Sequence, residues 1–217
     1  MTEPWETLWD NAMKALDSLE PAFPRKIDWS FGGGTAMRLF YDHRESKDVD
    51  IFVSDPYVIS GLSPRLNNAT QELTDDYNEQ SNFLKLRFPE GEVDFIVGGR
   101  LIEAVSLAEK HIRGRDVRVE QPIEIVAKKC FYRAVDFTAR DIFDLAVLLD
   151  EEPDTVRQYE NVLLAKRDVL RQRLGAMSPP MRGQIEDALN SLAVTPAYEH
   201  IRTRAIDMVL DFITRDR

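Results

Sequence analysis

A strand ending in three consecutive glycines, followed by a helix and a strand bearing two aspartates, constrains this chain more than any other feature. Ile27, Trp29 and Phe31 alternate with polar neighbours, the period of a half-buried strand, and the run stops at Gly32, Gly33 and Gly34. Thr35 then stands near the start of a helix with the apolar stripe Met37, Leu39, Phe40 and Tyr41, which His43 and Arg44 are expected to close. After the turn Glu45-Ser46-Lys47, the run Asp48-Val49-Asp50-Ile51-Phe52-Val53 alternates acidic and apolar residues and reads as a second strand. Successive strand side chains face opposite ways, which puts Asp48 and Asp50 on one face, about 6 to 7 Å apart along the backbone.

Two carboxylates on one half-buried face repel each other. Hard divalent cations, magnesium or manganese in its place, are the natural counter-charge because they prefer carboxylate and phosphate oxygens. Upstream, the glycines let the backbone approach a bulky anion, and the N-terminus of the next helix offers it N–H groups. The two features read as halves of one site for a nucleoside triphosphate and its metals. The bland alternative, an ordinary turn and two solvated aspartates, leaves unexplained why a residue depleted in strands occurs twice on one face.

Gly33-Gly34, thirteen intervening residues and Asp48-Val49-Asp50-Ile51 resemble the signature of the DNA polymerase beta-like nucleotidyltransferase superfamily. The longer run, Gly-Gly-Thr-Ala-Met-Arg-Leu followed by His43-Arg44-x-Ser46-x-Asp48-x-Asp50, is similar to the AbiEii/AbiGii toxin type within it. Further on, Glu124-x-x-Ala127-x-Lys129, Arg133 and Arg140-Asp141-x-x-Asp144-Leu145 match the family's helical half, so the resemblance runs from near Asp28 to near Asp150. It implies an α/β (α+β) chain: a small mixed-sheet nucleotidyltransferase domain over residues 1–121, then a helical bundle domain over 122–217 that closes the active-site cleft.

The activity implied is metal-dependent transfer of a nucleoside monophosphate from a triphosphate to an acceptor hydroxyl. By that resemblance Asp48, Asp50 and a third carboxylate, Asp94, hold the metal, and Lys129 and Asp141 complete the catalytic set. Gly33, Gly34, Thr35, Arg44, Ser46, Lys129, Arg133 and Arg140 surround the nucleotide. The acceptor implied is RNA, tRNA especially, or a protein side chain, in a toxin–antitoxin or phage-defence setting with a cognate antitoxin as partner. The alternatives are a small-molecule, antibiotic-type transferase and a catalytically silent module that binds a nucleotide or a protein.

The remaining segments fit around this core. Trp5, Leu8, Trp9, Ala12, Met13, Ala15 and Leu16 give a leading amphipathic helix that Pro21, Pro24 and Arg25 end, and Ser54-Asp55-Pro56 starts another. Alternation over 82–88, the turn Pro89-Glu90-Gly91 and a returning strand from Glu92 form a hairpin in which Asp94, flanked by Val93 and Phe95, is a better third carboxylate than Glu92. Gly114 with its charged neighbours marks a turn between two short strands, or a mobile connector, with His111 as a surface residue. From Pro122 the period is helical. Thr138 caps a helix with Asp141 and Asp144 on its expected polar side, and longer helices cover 156–173, 181–192 and 198–213. Leu163, Leu164, Leu170, Leu174, Leu210 and Ile213 are their expected core.

Composition bounds the function class. The 217 residues carry a net charge of −10 and are 43% hydrophobic, an ordinary globular balance without an apolar run fit to span a membrane. The start, Met-Thr-Glu-Pro-Trp-Glu, carries no secretory pattern, and the single Cys130 excludes an internal disulfide, so a cytoplasmic location is expected. The acidic balance argues against non-specific coating of nucleic acid. Between Lys110 and Arg140, however, eight basic residues stand against four acidic ones, and Lys110, Arg113, Arg115 and Arg118 form a candidate docking patch for a polyanion.

Overall fold

In the computed structural model, which describes residues 3–22, 26–175 and 177–215, the glycine run and the two aspartates lie on adjacent strands of one mixed sheet. Pro24 and Arg25, expected to end the first helix, and Asp216 and Arg217 at the end of the helical domain fall outside the described residues. The chain divides into two compact units: Met1–Leu39, Ser46–Arg100 and Ser106–Gln121 make the first, and Phe40–Glu45, Leu101–Val105 and Pro122–Arg217 the second.

The first unit is built on strands β1 (Trp29–Gly32), β2 (Val49–Val53), β3 (Tyr77–Gln80), β4 (Phe83–Phe88), β5 (Gly91–Val97), β6 (Ala108–Ile112) and β7 (Arg115–Val119), in the order β3-β4-β5-β2-β1-β7-β6. The β1–β7 and β2–β5 pairs are parallel and the others antiparallel. Helix α1 (Pro4–Leu19) starts on Pro4, with the Glu6 carboxylate accepting from the Glu3 N–H at 2.8 Å. It buries Leu8, Trp9, Ala12, Met13, Ala15, Leu16 and Leu19 and packs on β2 and β5. Trp9 meets Phe31 and Trp29 in tilted pairs with centroids 5.0 and 6.2 Å apart. Helices α2 (Gly33–Tyr41), α3 (Pro56–Leu62) and α4 (Asn68–Gln71) follow, with Asp55 capping α3 through the Tyr57 N–H.

Several expectations change here. Helix α2 stops at Tyr41 because Asp42 takes a left-handed φ of 50°, so His43 and Arg44 lie beyond the helix. Strand β3 was not expected: its Tyr-Asn-Glu-Gln sequence is polar because it forms an edge of the sheet and needs no apolar alternation. The basic patch is neutralised by carboxylates. Arg113, in the left-handed turn Arg113-Gly114 between β6 and β7, donates to Asp10 at 2.8 and 2.9 Å and to Glu6 at 3.2 Å. Arg115 binds Asp17, Arg118 binds Asp28 at 2.6 Å, and the Lys110 ammonium donates to the Leu39 carbonyl.

The second unit is organised around α6 (Ala139–Glu151), packed by α5 (Pro122–Tyr132), α10 (Pro179–Asn190), α11 (Glu199–Arg202) and α12 (Ala205–Thr214). The expected helix over 156–173 is instead broken into α7 (Pro153–Gln158), α8 (Glu160–Leu163), α9 (Arg167–Leu170) and a π turn over Arg171–Gly175. Tyr159, Leu164 and Lys166, with ψ between 15° and 32°, make the breaks. Leu163, Leu170 and Leu174 are buried as expected, whereas Leu210 is partly exposed. Among the described residues no helix is long and apolar enough to cross a membrane.

Trp9 joins α1 to β1 with almost its whole side chain out of water. Replacing it with alanine should cost about 3–5 kcal/mol of unfolding free energy, the usual range for emptying a large aromatic site. Urea unfolding of Trp9→Ala measures this directly, and a loss below about 1 kcal/mol would show that α1 is not integral to the unit.

Candidate active site

Strand pairing in the first unit lines up the acidic residues. Gly32 registers with Asp50 across β1–β2, Asp50 with Asp94 across the parallel β2–β5 pair, and Asp94 with Lys85 across β4–β5. Gly33 has φ +72°, and a Cβ there would run into the Asp50 carboxylate. Only glycine meets both conditions, so the glycine loop and the aspartate strand are in direct contact. Asp48, just before β2, accepts the Glu92 N–H at 3.1 Å, and a Cβ on Gly91 would lie 2.9 Å from its Oδ1. Thr35 is buried; its hydroxyl donates to the Asp48 carbonyl at 2.6 Å and lies 3.0 Å from Ser46 Oγ, pinning the turn that delivers Asp48.

Asp94 divides its two carboxylate oxygens unequally. Its Oδ2 accepts from Lys85 Nζ at 2.9 Å, while its buried Oδ1 has no hydrogen-bond partner among the described residues. Burial pushes its pKa above the usual carboxylate value; Lys85 opposes the rise, and the negative charges of Glu92 and Asp48 add to it. Lys85 also reaches Glu92. The donor chemistry suits a hard cation, three carboxylates on or just before the adjacent interior strands β2 and β5 with an unsatisfied oxygen among them. As the side chains stand, no group of three or more His, Cys, Asp or Glu residues converges closely enough to hold an ion among the described residues.

In the second unit the expected residues gather on α5 and α6. Asp144 is fully buried rather than on a solvated face, and its two oxygens take four donors. Arg44 Nε and His43 Nε2 lie 2.7 and 2.9 Å from Oδ1, Arg44 Nη2 lies 2.8 Å from Oδ2, and Lys129 Nζ also donates to Oδ2. Burial alone would raise the Asp144 pKa. The charges of Arg44 and Lys129 with the hydrogen bonds of His43 and Arg44 outweigh it and hold the carboxyl well below its ordinary value.

Asp141 is buried too and divides its oxygens. Oδ2 closes the α6 capping box with Thr138 and lies 3.2 Å from Arg133, while Oδ1 stands 3.6 Å from Lys129 Nζ. Lys129 therefore sits between two buried carboxylates. Arg140 is exposed one residue earlier on α6, and burial pushes the Cys130 thiol up to about 12, which leaves it unreactive.

The structure thus brings Gly33, Thr35, Ser46, Asp48, Asp50 and Asp94 together in one unit and Arg44, Lys129, Arg133 and Asp141 in the other. Two participants escaped the sequence reading. Lys85 was legible in principle, because the two-residue hairpin loop after Phe88 fixes it opposite Asp94. His43 stood in the family-like run before Ser46, but nothing local marked it as buried, since its burial depends on a helix a hundred residues away.

The sequence profile of the nucleotidyl transferase AbiEii toxin, of a type IV toxin–antitoxin system, matches residues 14–212. None of the curated proteins compared with it matches. Among solved structures, the nucleotidyltransferase toxin MenT4 of Mycobacterium tuberculosis H37Rv aligns at 20% identity and a TM-score of 0.50, over 98% of this chain and 85% of its own. ANT(2'')-Ia in complex with adenylyl-2''-tobramycin aligns at 18% identity and 0.49, over 75% and 98%. An antigenic nucleotidyltransferase-like protein from Paracoccidioides brasiliensis aligns at 20% and 0.41, over 80% and 93%.

Asp144→Asn should cost about 3–5 kcal/mol at neutral pH, because Arg44 and Lys129 would lose their buried counter-charge. A depressed folded pKa stabilises above the unfolded value, about 3.9, and its contribution disappears as pH falls through the folded one. The difference between wild type and variant should therefore hold from pH 8 to 5 and narrow only below about pH 4. Denaturant titrations across that range check it, and a gap that closes between pH 7 and 5 would contradict the assignment.

Proposed function

The chain belongs to the AbiEii nucleotidyltransferase toxin family, and from the carboxylate row on β2 and β5 we propose that it moves a nucleoside monophosphate from a magnesium-bound triphosphate to an acceptor hydroxyl. The observation that carries this reading is the buried, unsatisfied Oδ1 of Asp94, registered against Asp50. Asp48, Asp50 and Asp94 would hold the divalent cation, which when bound neutralises triphosphate charge and polarises the reacting phosphorus. Gly33 and Gly34 admit the phosphates close to the backbone.

Asp94 takes the proton of the acceptor hydroxyl as that oxygen bonds to the α-phosphorus. The bond from the α-phosphorus to the bridging oxygen breaks, and pyrophosphate leaves with the electron pair. Lys129, oriented by Asp141 and Asp144, offsets the charge that develops on the leaving group, and Arg140 adds to it. Arg44 serves by holding Asp144, whereas Thr35 and Ser46 fix the approach to Asp48.

The acceptor we infer is RNA, tRNA foremost, in the toxin–antitoxin setting that the family name carries, with an antitoxin as the protein partner. The test is to incubate the purified protein with each α-labelled triphosphate and separate RNA, protein and small-molecule fractions. One triphosphate should label the RNA, and Asp50→Asn and Lys129→Met should each lower the rate about 10²–10³-fold. Label in the small-molecule fraction alone would move the acceptor to that class; undiminished labelling by Asp50→Asn would overturn the mechanism.

A further inference from the structure

Helix α5 is buried from Pro122 to Cys130 and then turns outward. Phe131 is half-buried, Tyr132 is 62% exposed, the Arg133 side chain is 50% exposed, and Val135 is 69% exposed. The Phe131 and Tyr132 rings meet edge to face with centroids 5.0 Å apart, and Lys166 Nζ lies 5.0 Å from the Phe131 centroid. Tyr132 follows Lys129 by three residues on the same helix, so the two are neighbours on its surface. An exposed aromatic braced by a second ring, with Lys166 over that second ring and Arg133, paired to Asp141 at 3.2 Å, next in the chain, suits a flat, anionic ligand, because a base stacks on the ring while its phosphates meet the cations.

We propose that Tyr132 is a stacking platform for an unpaired base of a single-stranded nucleic-acid acceptor, with Arg133 and Lys166 on the adjoining phosphates. The choice of acceptor rests on the transfer reaction above; the platform itself rests on the geometry of α5. The net charge of −10 opposes approach by a polyanion, which places the affinity in contacts that salt does not screen. Stacking is such a contact, and about 1–3 kcal/mol per base corresponds to roughly 5- to 150-fold in affinity. With two phosphates neutralised, log affinity should fall against log salt with a slope of only about −1.4.

Fluorescence anisotropy with a short single-stranded RNA, a hairpin carrying an unpaired 3′ tail and the same hairpin made blunt tests this on the full chain. Wild type should bind the first two and not the third. Tyr132→Ala should lose about 5- to 150-fold for them, with unchanged melting temperature and triphosphate affinity, and Tyr132→Phe should bind normally. In Tyr132→Trp, the introduced indole should be quenched by the single strand and not by the blunt hairpin. Tyr132→Ala binding single strands as tightly as wild type would overturn the platform, even if labelled RNA still forms, and so would a wild type that binds no single strand. A wild type that binds through Tyr132 yet transfers no nucleotide supports the platform and removes the transfer reaction instead.

Discussion

The second unit depends on one buried carboxylate. Asp144 is inaccessible to water, and a lone charge there would cost several kcal/mol, so its four donors are a condition for burying it. Those donors come from the segment after α2 and from α5, which fixes both against α6. The same arrangement fixes a cation: Lys129 is held by Asp144 with Asp141 at 3.6 Å, a placement that a flexible surface lysine would not keep. In the proposed reaction, structure and activity would share residues, because the counter-charge that lets Asp144 be buried includes the Lys129 ammonium assigned to the leaving group.

The carboxylate row of the first unit is balanced differently. Asp94 shares Lys85 with Glu92 and keeps a buried oxygen without a hydrogen bond, and its pKa is raised where that of Asp144 is lowered. Both carboxylates are desolvated, so the contrast comes from their neighbours: Arg44 and Lys129 around one, Lys85 opposed by Glu92 and Asp48 around the other. A group poised in this way accepts a proton or an external cation more readily than one already saturated.

Local signals made much of the first unit and the start of α6 in the second legible. The glycine stop after β1, the alternation of β2, the two hairpins and the Thr138 cap each depend on residues within a few positions, and each element is where its pattern put it. The parallel β2–β5 and β1–β7 pairs, which complete the sheet, join strands far apart in sequence and leave no local trace. Polar residues misled in both directions. Asp144 read as a polar-face group because its burial depends on distant partners, and Arg113 and Arg115 read as a patch because the α1 carboxylates that bind them lie about a hundred positions upstream. Of the site, the glycines and aspartates announced themselves by spacing, whereas Lys85 required pairing the hairpin residue by residue.

The central claim is that the row formed by Asp48, Asp50 and Asp94 takes a triphosphate together with a divalent cation. Calorimetric titration of the wild-type protein with a non-hydrolysable triphosphate, with magnesium and then with excess chelator, tests it most directly. The account predicts an affinity at least about tenfold higher with the metal, since three carboxylates facing an unneutralised triphosphate repel it. Equal affinity under the two conditions would contradict it.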